Sequence, residues 1–473
     1  MSFRIFARIA GTAAHGRLFS CACGAAMLSA ASAAAQTAPP PSPSSSATLL
    51  GDIGGLRPFL GKYGVTLTLQ EQSEILGNVS GGRRQGFAYD GLTSGTVQID
   101  TQTAFGLSGG QFNVSGLQIH GRNLSADNLL SLQTASGIEA DRATRLWELW
   151  YQQKLLDDKL DLRLGQMSLD QEFMVSQNAG YFINTGFGWP ILPSADMPGG
   201  GPAYPLSALG ARVKFHPSDA ITILAAVTNG NPAPSSVGDP QMRDPSGTGF
   251  PLNGGALAIA EAQLVYPFTA GPADAKAQPL TGLYKIGVWY DSENFGDLRY
   301  DNAGLSLANP ASAGIAATHR GDYGFYAVAD QMIYRWSDDP GRNTSLFLRP
   351  MIAPQQDRNL VSFSLDAGLA THGLIKGRND DVFGLGAGFA RVSDSATGLD
   401  RDRAAFSPGV FSPARHDETV IEATYQYQLT QWCQIQPDFQ YVFSPGAGIV
   451  NPSNPAQRVK DEAILGVRAT VAF

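Results

Sequence analysis

Side chains alternate between apolar and polar along stretches of about ten residues, and this constrains the fold more than any other feature. Thr419 to Leu429 sets Ile421, Ala423, Tyr425, Tyr427 and Leu429 on one face against Glu422, Thr424, Gln426 and Gln428 on the other. Cys433 to Phe443 sets Cys433, Ile435, Phe439, Tyr441 and Phe443 against Gln434, Gln436, Asp438 and Gln440. Ala463 to Phe473 sets Leu465, Val467, Ala469, Val471 and Phe473 against Gly466, Arg468 and Thr470. The same pattern recurs upstream. Leu160, Leu162 and Leu164 oppose Asp161 and Arg163, while Ala211, Val213 and Phe215 oppose Arg212, Lys214 and His216. Val97, Ile99 and Phe105 oppose Gln98, Asp100 and Gln102. A period of two means strands, with one face dry and one wet.

Periodicity alone fits a soluble sandwich with its apolar face inward, or a membrane barrel with that face outward. Three features favour the barrel. The segments have the length a tilted strand needs to cross hydrocarbon, longer than soluble strands usually are. Aromatic residues gather near strand ends, as Tyr425, Tyr427 and Trp432 do, and Tyr441 with Phe443. The chain ends in an alternating strand whose last residue is Phe473, the form of an outer-membrane assembly signal. Composition agrees: 16% of residues are charged and 54 of 473 are glycine. Past the N-terminus there is no apolar run long enough for a membrane helix. The expected fold is all-β: a transmembrane antiparallel up-and-down β-barrel of about 16 strands, with loops folded into the lumen.

Residues 1–35 read as a signal peptide. Arg4, Arg8 and Arg17 precede or flank an Ala-rich apolar stretch, and Ala33-Ala34-Ala35 suits cleavage. Residues 36–48 read as a Pro/Ser-rich linker, and 49–473 as one barrel domain. Residues 36–61 could add a short plug or helix. Removing the leader leaves 30 basic against 41 acidic residues, which disfavours nucleic acid as a partner. It also leaves Cys433 alone, so no internal disulfide can form. Export without disulfides suits the bacterial envelope.

Several stretches resemble one family. They are LWELWYQQKLLDDKLDLRLGQMSLDQEF (Leu146–Phe173), NAGYFINTGFGWP (Asn178–Pro190), YPLSALGARVKFHPSDAITILAAVTNGNP (Tyr204–Pro232), ETVIEATYQYQLTQWCQIQPDFQYVFSPG (Glu418–Gly446) and NPSNPAQRVKDEAILGVRATVAF (Asn451–Phe473). As a set, the chain resembles the carbohydrate-selective outer-membrane porins of the OprB type. The resemblance covers about half of the chain beyond the leader. Asp274–Thr318 and Asp394–Arg415 read as variable loops, and Cys433 stands where a bulkier residue looks usual. The resemblance implies a 16-stranded barrel in the bacterial outer membrane that passes small carbohydrates, mono- or disaccharides, passively into the periplasm. Outer-membrane lipid is then a partner, as is the barrel-assembly machinery through Phe473.

A neutral, hydroxyl-rich solute calls for a narrow wet passage lined by both charge signs and by aromatic faces. Strand phase nominates Glu148, Arg163, Arg212, Glu422, Asp438 and Arg468 as lumen residues. Asp170 and Glu172 follow Arg163, near the end of that strand. Glu261 in ALAIAEAQLVY and Arg349 in LFLRPMI sit among apolar residues, where a lumen position costs least. Each could brace the inner wall or touch solute. The segment Ser168–Pro198 breaks the strand pattern and carries Phe173, Tyr181, Phe182, Phe187 and Trp189. Its length points to a functional loop, folded inward as a constriction with Trp189 as a further contact candidate. Ser125–Ser136 could be a second inward element, a short helix packed through Leu129, Leu130 and Leu132.

Signals for catalysis, cofactors or metals are poor. Gly106-Leu107-Ser108-Gly109-Gly110 fits G-x-S-x-G but lies between two β segments, where a hairpin turn is the better reading. Gly384, Gly386 and Gly388 lack dinucleotide-loop spacing and suit a strand face that makes room for neighbours. The six His form no H-x-x-x-H pair. No enzyme activity and no cofactor are expected. The alternatives are a barrel that exports polysaccharide and a barrel enzyme.

Overall fold

The computed structural model describes residues 47–234, 238–267, 279–336, 339 and 341–473. The expected signal peptide, and all but two residues of the expected linker, lie outside the described residues. The chain forms β1 (Val65–Gly82), β2 (Gly86–Asp100), β3 (Gly110–Gly121), β4 (Ala143–Leu155), β5 (Leu160–Met167) and β6 (Ala208–Ser218). Next come β7 (Ile221–Asn229), β8 (Ala256–Tyr266), β9 (Gly282–Asp301), β10 (Ala316–Arg335), β11 (Asn343–Ile352) and β12 (Val361–His372). The last are β13 (Val382–Val392), β14 (Asp417–Thr430), β15 (Cys433–Phe443), the small hairpin β16 (Val450–Asn451) and β17 (Asn454–Arg458), and β18 (Lys460–Ala472).

Strands β1–β15 and β18 close into one antiparallel barrel of sixteen, each paired with its sequence neighbour apart from the outlying hairpin. The seam joins β1 to β18 from Gln70↔Ala472 to Gly82↔Lys460. Closure leaves the barrel no sheet edge, so each of its sixteen strands has hydrogen-bond partners on both sides. Near the seam, Leu49 N donates to Ala472 O at 2.8 Å and Phe473 N to Leu69 O at 2.9 Å. A short helix, Leu56–Gly61, sits beside it, and its Arg57 guanidinium donates to the Phe473 carbonyl. The expected N-terminal helix is therefore present, and it latches onto the last residue.

The two ends differ. At one end the connections are short, as at 156–159, 219–220 and 431–432. The G-x-S-x-G stretch lies at this end, in the turn between β2 and β3 after the helix Thr101–Phe105. At the other end they are long, notably 122–142, 168–207 and 393–416. Residues 282–301 and 316–318, expected to be loop, are strand instead: β9 and β10 each run 20 residues and extend past the wall at the long-loop end. The backbone pairing continues there, from Asp322↔Asp291 to Ala316↔Asp301, although residues 291–294 are all hydrophilic. Asp394–Phe406 is a helix, capped by the Ser393 side chain on Ala396 N.

The sense of the alternation is inverted relative to a soluble protein. On β14, Glu418, Glu422, Thr424 and Gln426 are buried, while Ile421 and Tyr427 are exposed. On the outside, Ile286, Leu164 and Val227 are 66%, 59% and 54% exposed. A monomer in water rarely shows an apolar belt of that extent. Hydrocarbon outside and polar groups inside reconcile both observations. Val288→Arg, in the middle of the outer wall, should cost about 2–4 kcal/mol in reversible urea unfolding from lipid vesicles. Lys154→Gln, facing the lumen, should stay within about 0.5 kcal/mol.

Candidate functional site

Inward-facing residues have no lipid to meet, so each buried polar group needs a partner within the protein or from water. Many find one on the two segments that fold into the barrel. The long connection from β5 to β6 enters the lumen at Ser168. Met174 N donates to Glu261 Oε2 of β8 at 3.0 Å, and Lys285 Nζ of β9 donates to Val175 O at 2.7 Å. Asp330 of β10 accepts from Ser176 Oγ at 2.6 Å, Gln177 N at 3.1 Å and Asn178 Nδ2 at 2.8 Å. Glu422 of β14 accepts from Ile183 N at 2.6 Å and Asn184 N at 3.0 Å. The segment thus spans the lumen from β8 to β14.

Arg349 of β11 holds the same segment by its carbonyls. Its Nη1 donates to Met174 O at 2.8 Å and Gly188 O at 3.0 Å, and its Nη2 to Gly186 O at 2.5 Å. Its charge is matched by Asp366 of β12, with Nη2 to Oδ2 at 2.9 Å, and both side chains are fully buried. Phe182 and Phe187 stack at 4.5 Å between centroids and both reach Phe347. Gly384 and Gly386 of β13 face them. A Cβ on Gly386 would lie 2.9 Å from both Phe182 and Phe187. The every-second glycine therefore makes space for aromatic rings.

The second inward segment, 122–142, is not the expected helix. It makes one wide turn, Ser125–Leu129, and then runs as irregular chain with bends at 132, 133 and 135 and a turn at 137–138. Leu130 at φ 71 breaks the turn. Glu418 accepts Leu132 N and Gln133 N, both at 2.7 Å, and Gln440 Nε2 donates to Ala135 O at 2.8 Å. Backbone bonds Gly137 N to Ile183 O (2.9 Å) and Thr185 N to Thr134 O (3.1 Å) join the two segments. Leu124 and Leu129 pack into a cluster with Leu76, Val420, Val442 and Ile464.

On the opposite wall, a charge cluster surrounds Glu172. Arg212 Nε lies 2.7 Å and Lys214 Nζ 3.1 Å from its carboxylate, with Arg163 Nη2 at 3.6 Å. Asp161 takes the other face of Arg212, Nη1 to Oδ1 at 2.8 Å. Burial works against ionisation, but Arg163, Arg212 and Lys214 together hold the Glu172 carboxyl well below the usual carboxylate range. Arg163 also accommodates Gln152 Oε1 at 2.8 Å and lies 4.0 Å over the Trp150 ring. A β-bulge opposite Ser115 and Gly116 turns both Trp147 and Glu148 inward. Glu148 accepts Ser168 N at 3.2 Å, where the long segment leaves the wall. Asp170 accepts Ser168 Oγ at 2.6 Å and Tyr204 N at 2.9 Å, which clips the segment's two ends together.

The nominated residues therefore separate into groups. Glu261, Arg349 and Glu422 anchor the inward segment. Asp438, which accepts Gln440 Nε2 at 2.9 Å, and Arg468, paired with Glu74, sit beneath it. Trp189 is 7% exposed, bonded through Nε1 to Gly200 O at 2.9 Å, and packs with Trp150 and Leu192. Arg163, Glu172 and Arg212 come together with Glu148 and Asp170 close by. Lys214, Lys285, Asp330, Asp366 and Glu418 were not nominated from sequence, though Lys214 and Glu418 share the period-two phase of Arg212 and Glu422. Asp297, His319 and Asp357 bring donor atoms within 4.8 Å of one another at the long-loop rim. His319 already bonds Asp297 at 2.8 Å, and Arg358 pairs with Asp357 at 2.8 Å. Ordinary hydrogen bonding accounts for that cluster.

Residues 84–473 match the family described as carbohydrate-selective porin, OprB family. The chain belongs to that family. Porin B of Pseudomonas aeruginosa is 24% identical over 468 residues, covering 90% of this chain and 92% of that protein. The high-pH structure of Pseudomonas putida OprB superposes with a TM-score of 0.79 at 24% identity, covering 91% of this chain and 99% of that one. Its low-pH structure gives 0.53 at 17% identity with 91% and 99% coverage. This OprB-family porin is a carbohydrate-selective outer-membrane channel. Its inward segment depends on single buried groups. Arg349→Met should leave Asp366 unpaired in the wall and cost about 3–5 kcal/mol. Gly386→Val should cost about 1–3 kcal/mol by displacing Phe182 and Phe187. Urea unfolding of refolded protein measures both.

Proposed function

We propose that residues 168–198 form the constriction of the sugar path, and that the cluster of Arg163, Glu172, Arg212 and Lys214 beside Trp150 is where solute is held in passing. One arrangement carries this reading: the segment is tied across the lumen from β8 to β14, which leaves the β4–β6 wall facing it. A barrel of this strand number is wide enough for an aqueous channel unless loops narrow it. Guanidinium and ammonium groups supply fixed donors to sugar hydroxyls, and carboxylates supply acceptors. Trp150, buried beneath Arg163 at 4.0 Å, holds that guanidinium in position at the wall. These charges are partly paired: Arg163, Arg212 and Lys214 face Glu172 and Asp161, which leaves one positive charge in excess among fixed donors and acceptors. Such sites bind weakly, as conduction requires.

In this reading Glu261, Arg349, Glu422 and Asp330 fix the shape of the passage, and Glu148 and Asp170 fix its entrance. Transport is diffusion down a gradient, with no covalent step. The termini and short turns lie on the periplasmic side and the long loops face outward. Residues 1–35 direct export and are removed, residues 36–48 link, and 49–473 form the barrel domain. Phe473, latched by Arg57, is offered to the assembly machinery, and the outer apolar belt meets lipid.

Liposome swelling with glucose, sucrose and an amino acid of glucose size tests the reading. The native channel should pass glucose faster than the amino acid. Arg163→Ala should cut that preference several-fold with little change in ion conductance. Deleting Gln177–Gly188 should raise single-channel conductance, and unchanged conductance would place the constriction elsewhere.

A further inference from the structure

Toward the long-loop end of the lumen, carboxylates gather with no cation paired to them. Asp291 of β9 and Asp322 of β10 are direct register partners. Both side chains face inward and are fully buried. Like charges set opposite each other on a sheet repel. Asp196 ends the short helix Ile191–Asp196 of the inward segment and is buried too. The charge of Asp322 acts on both Asp196 and Asp291. Arg358 attracts Asp322, but its guanidinium is forked onto Asp357 at 2.8 and 3.1 Å. Among the described residues, no Lys, Arg or His makes an ion pair with Asp196, Asp291 or Asp322.

Each acid uses one oxygen and leaves the other bare. Asp291 Oδ1 accepts Glu293 N at 2.8 Å, Asp322 Oδ1 accepts Asn359 Nδ2 at 3.0 Å, and Asp196 Oδ1 accepts Val361 N at 3.0 Å. The Oδ2 of all three is buried without a hydrogen-bond partner. Asn359 repeats the pattern with no charge of its own. Its side chain is fully buried, its Nδ2 is spent on Asp322, and its Oδ1 has no donor. The amide is planar, so that bare oxygen is carried alongside the Asp322 carboxylate. Glycine adds a carbonyl. A Cβ on Gly230 would lie 2.6 and 2.8 Å from the two Asp291 oxygens and 2.8 Å from Gly254 O. Those three oxygens converge where the β7–β8 connection leaves and rejoins the wall, and only glycine gives them room.

Carboxylate, amide and carbonyl oxygens, with no nitrogen or sulfur among them, are the donor set of a hard cation. Buried charges without a partner are costly, and a divalent cation would satisfy two at once. Calcium accepts about six to eight such oxygens in irregular geometry and mixes carboxylates with amide and backbone groups. Magnesium demands a near-ideal octahedron and keeps its waters, which suits donors gathered from distant parts of the chain less well. We propose that Asp291, Asp322 and Asn359, with Asp196 and Gly254 O, form a calcium site. The ion pins the helix Ile191–Asp196 of the inward segment to β9, β10 and the approach to β12.

The test uses the native porin in mild detergent, stripped of bound metal with EGTA. Trp289 lies two residues before Asp291 on the same inward face and is buried, so it can pass excitation energy to terbium, a calcium surrogate. Terbium should give saturable emission on tryptophan excitation, displaced by calcium and far less by magnesium. Titration calorimetry should give a single calcium per chain, and calcium should raise the thermal midpoint. Asp291→Asn and Asp322→Asn should each weaken calcium binding by about ten-fold or more. Each should also raise the midpoint of the calcium-free protein, because one of two opposed charges is gone, and that rise shows that the variant folds. Asp297→Asn, in the rim cluster with His319 and Asp357, should leave calcium binding unchanged. No calcium uptake by the stripped native protein would overturn the proposal and leave Asp291 and Asp322 sharing a proton. So would uptake that survives both Asn variants, uptake lost in Asp297→Asn, or terbium displaced by magnesium as readily as by calcium.

Discussion

The backbone hydrogen-bond ladder has to close on itself, and most of the structure follows from that. Inside hydrocarbon no water can satisfy an open strand edge, so a sheet that crosses must end where it began. Here the join is between β1 and β18, at opposite ends of the chain. It forms only when both termini have arrived, and the Arg57 latch on Phe473 sits beside it. Closure also assigns the two faces. Apolar side chains go to the outside, because the wall is one sheet thick and has no second layer to bury them.

What remains inside is polar except where the inward segments pack on apolar wall residues such as Leu76, Phe347 and Ile464, and a wall around an empty tube of this size is not yet a selective channel. Selectivity needs the lumen narrowed, and narrowing needs chain held away from its own strands. The structure does this with buried charges used as anchors rather than as binding groups. Glu261, Asp330, Glu418 and Glu422 accept backbone N–H groups from the inward segments, and Arg349 donates to backbone carbonyls. Irregular chain carries unsatisfied amides, so each anchor also resolves the cost of placing a loop in a confined space. Networks of this kind fix one geometry, since losing one member strands its partners.

The barrel was legible because its signal is periodic and local. The phase of Arg212 or Glu422 follows from two or three neighbours on either side. The inward segment was legible as an interruption: Ser168–Pro198 has aromatics and glycines but no alternation. Its anchors were harder to read. Asp330 and Met174 lie on segments far apart in the chain, and no spacing rule connects them. For the same reason Glu261, Arg349 and Glu422 could be assigned to the lumen but not to a role there. Ser125–Ser136 reads as helical because its leucines are closely spaced, but Leu130 in the left-handed region ends the one turn that forms, and the bonds to Glu418 hold the rest as irregular chain. All of β9 and the first residues of β10 were missed, because a variable stretch, polar toward the long-loop end, continues there as paired strand beyond the hydrocarbon.

Site-directed spin labelling along β14 in lipid vesicles tests the central claim most directly. Labels at Ile421, Ala423 and Tyr425 should show high oxygen collision rates, typical of acyl chains, while those at Thr424 and Gln426 should show low ones. High oxygen access at Thr424 and Gln426, with Ile421, Ala423 and Tyr425 shielded, would contradict the account.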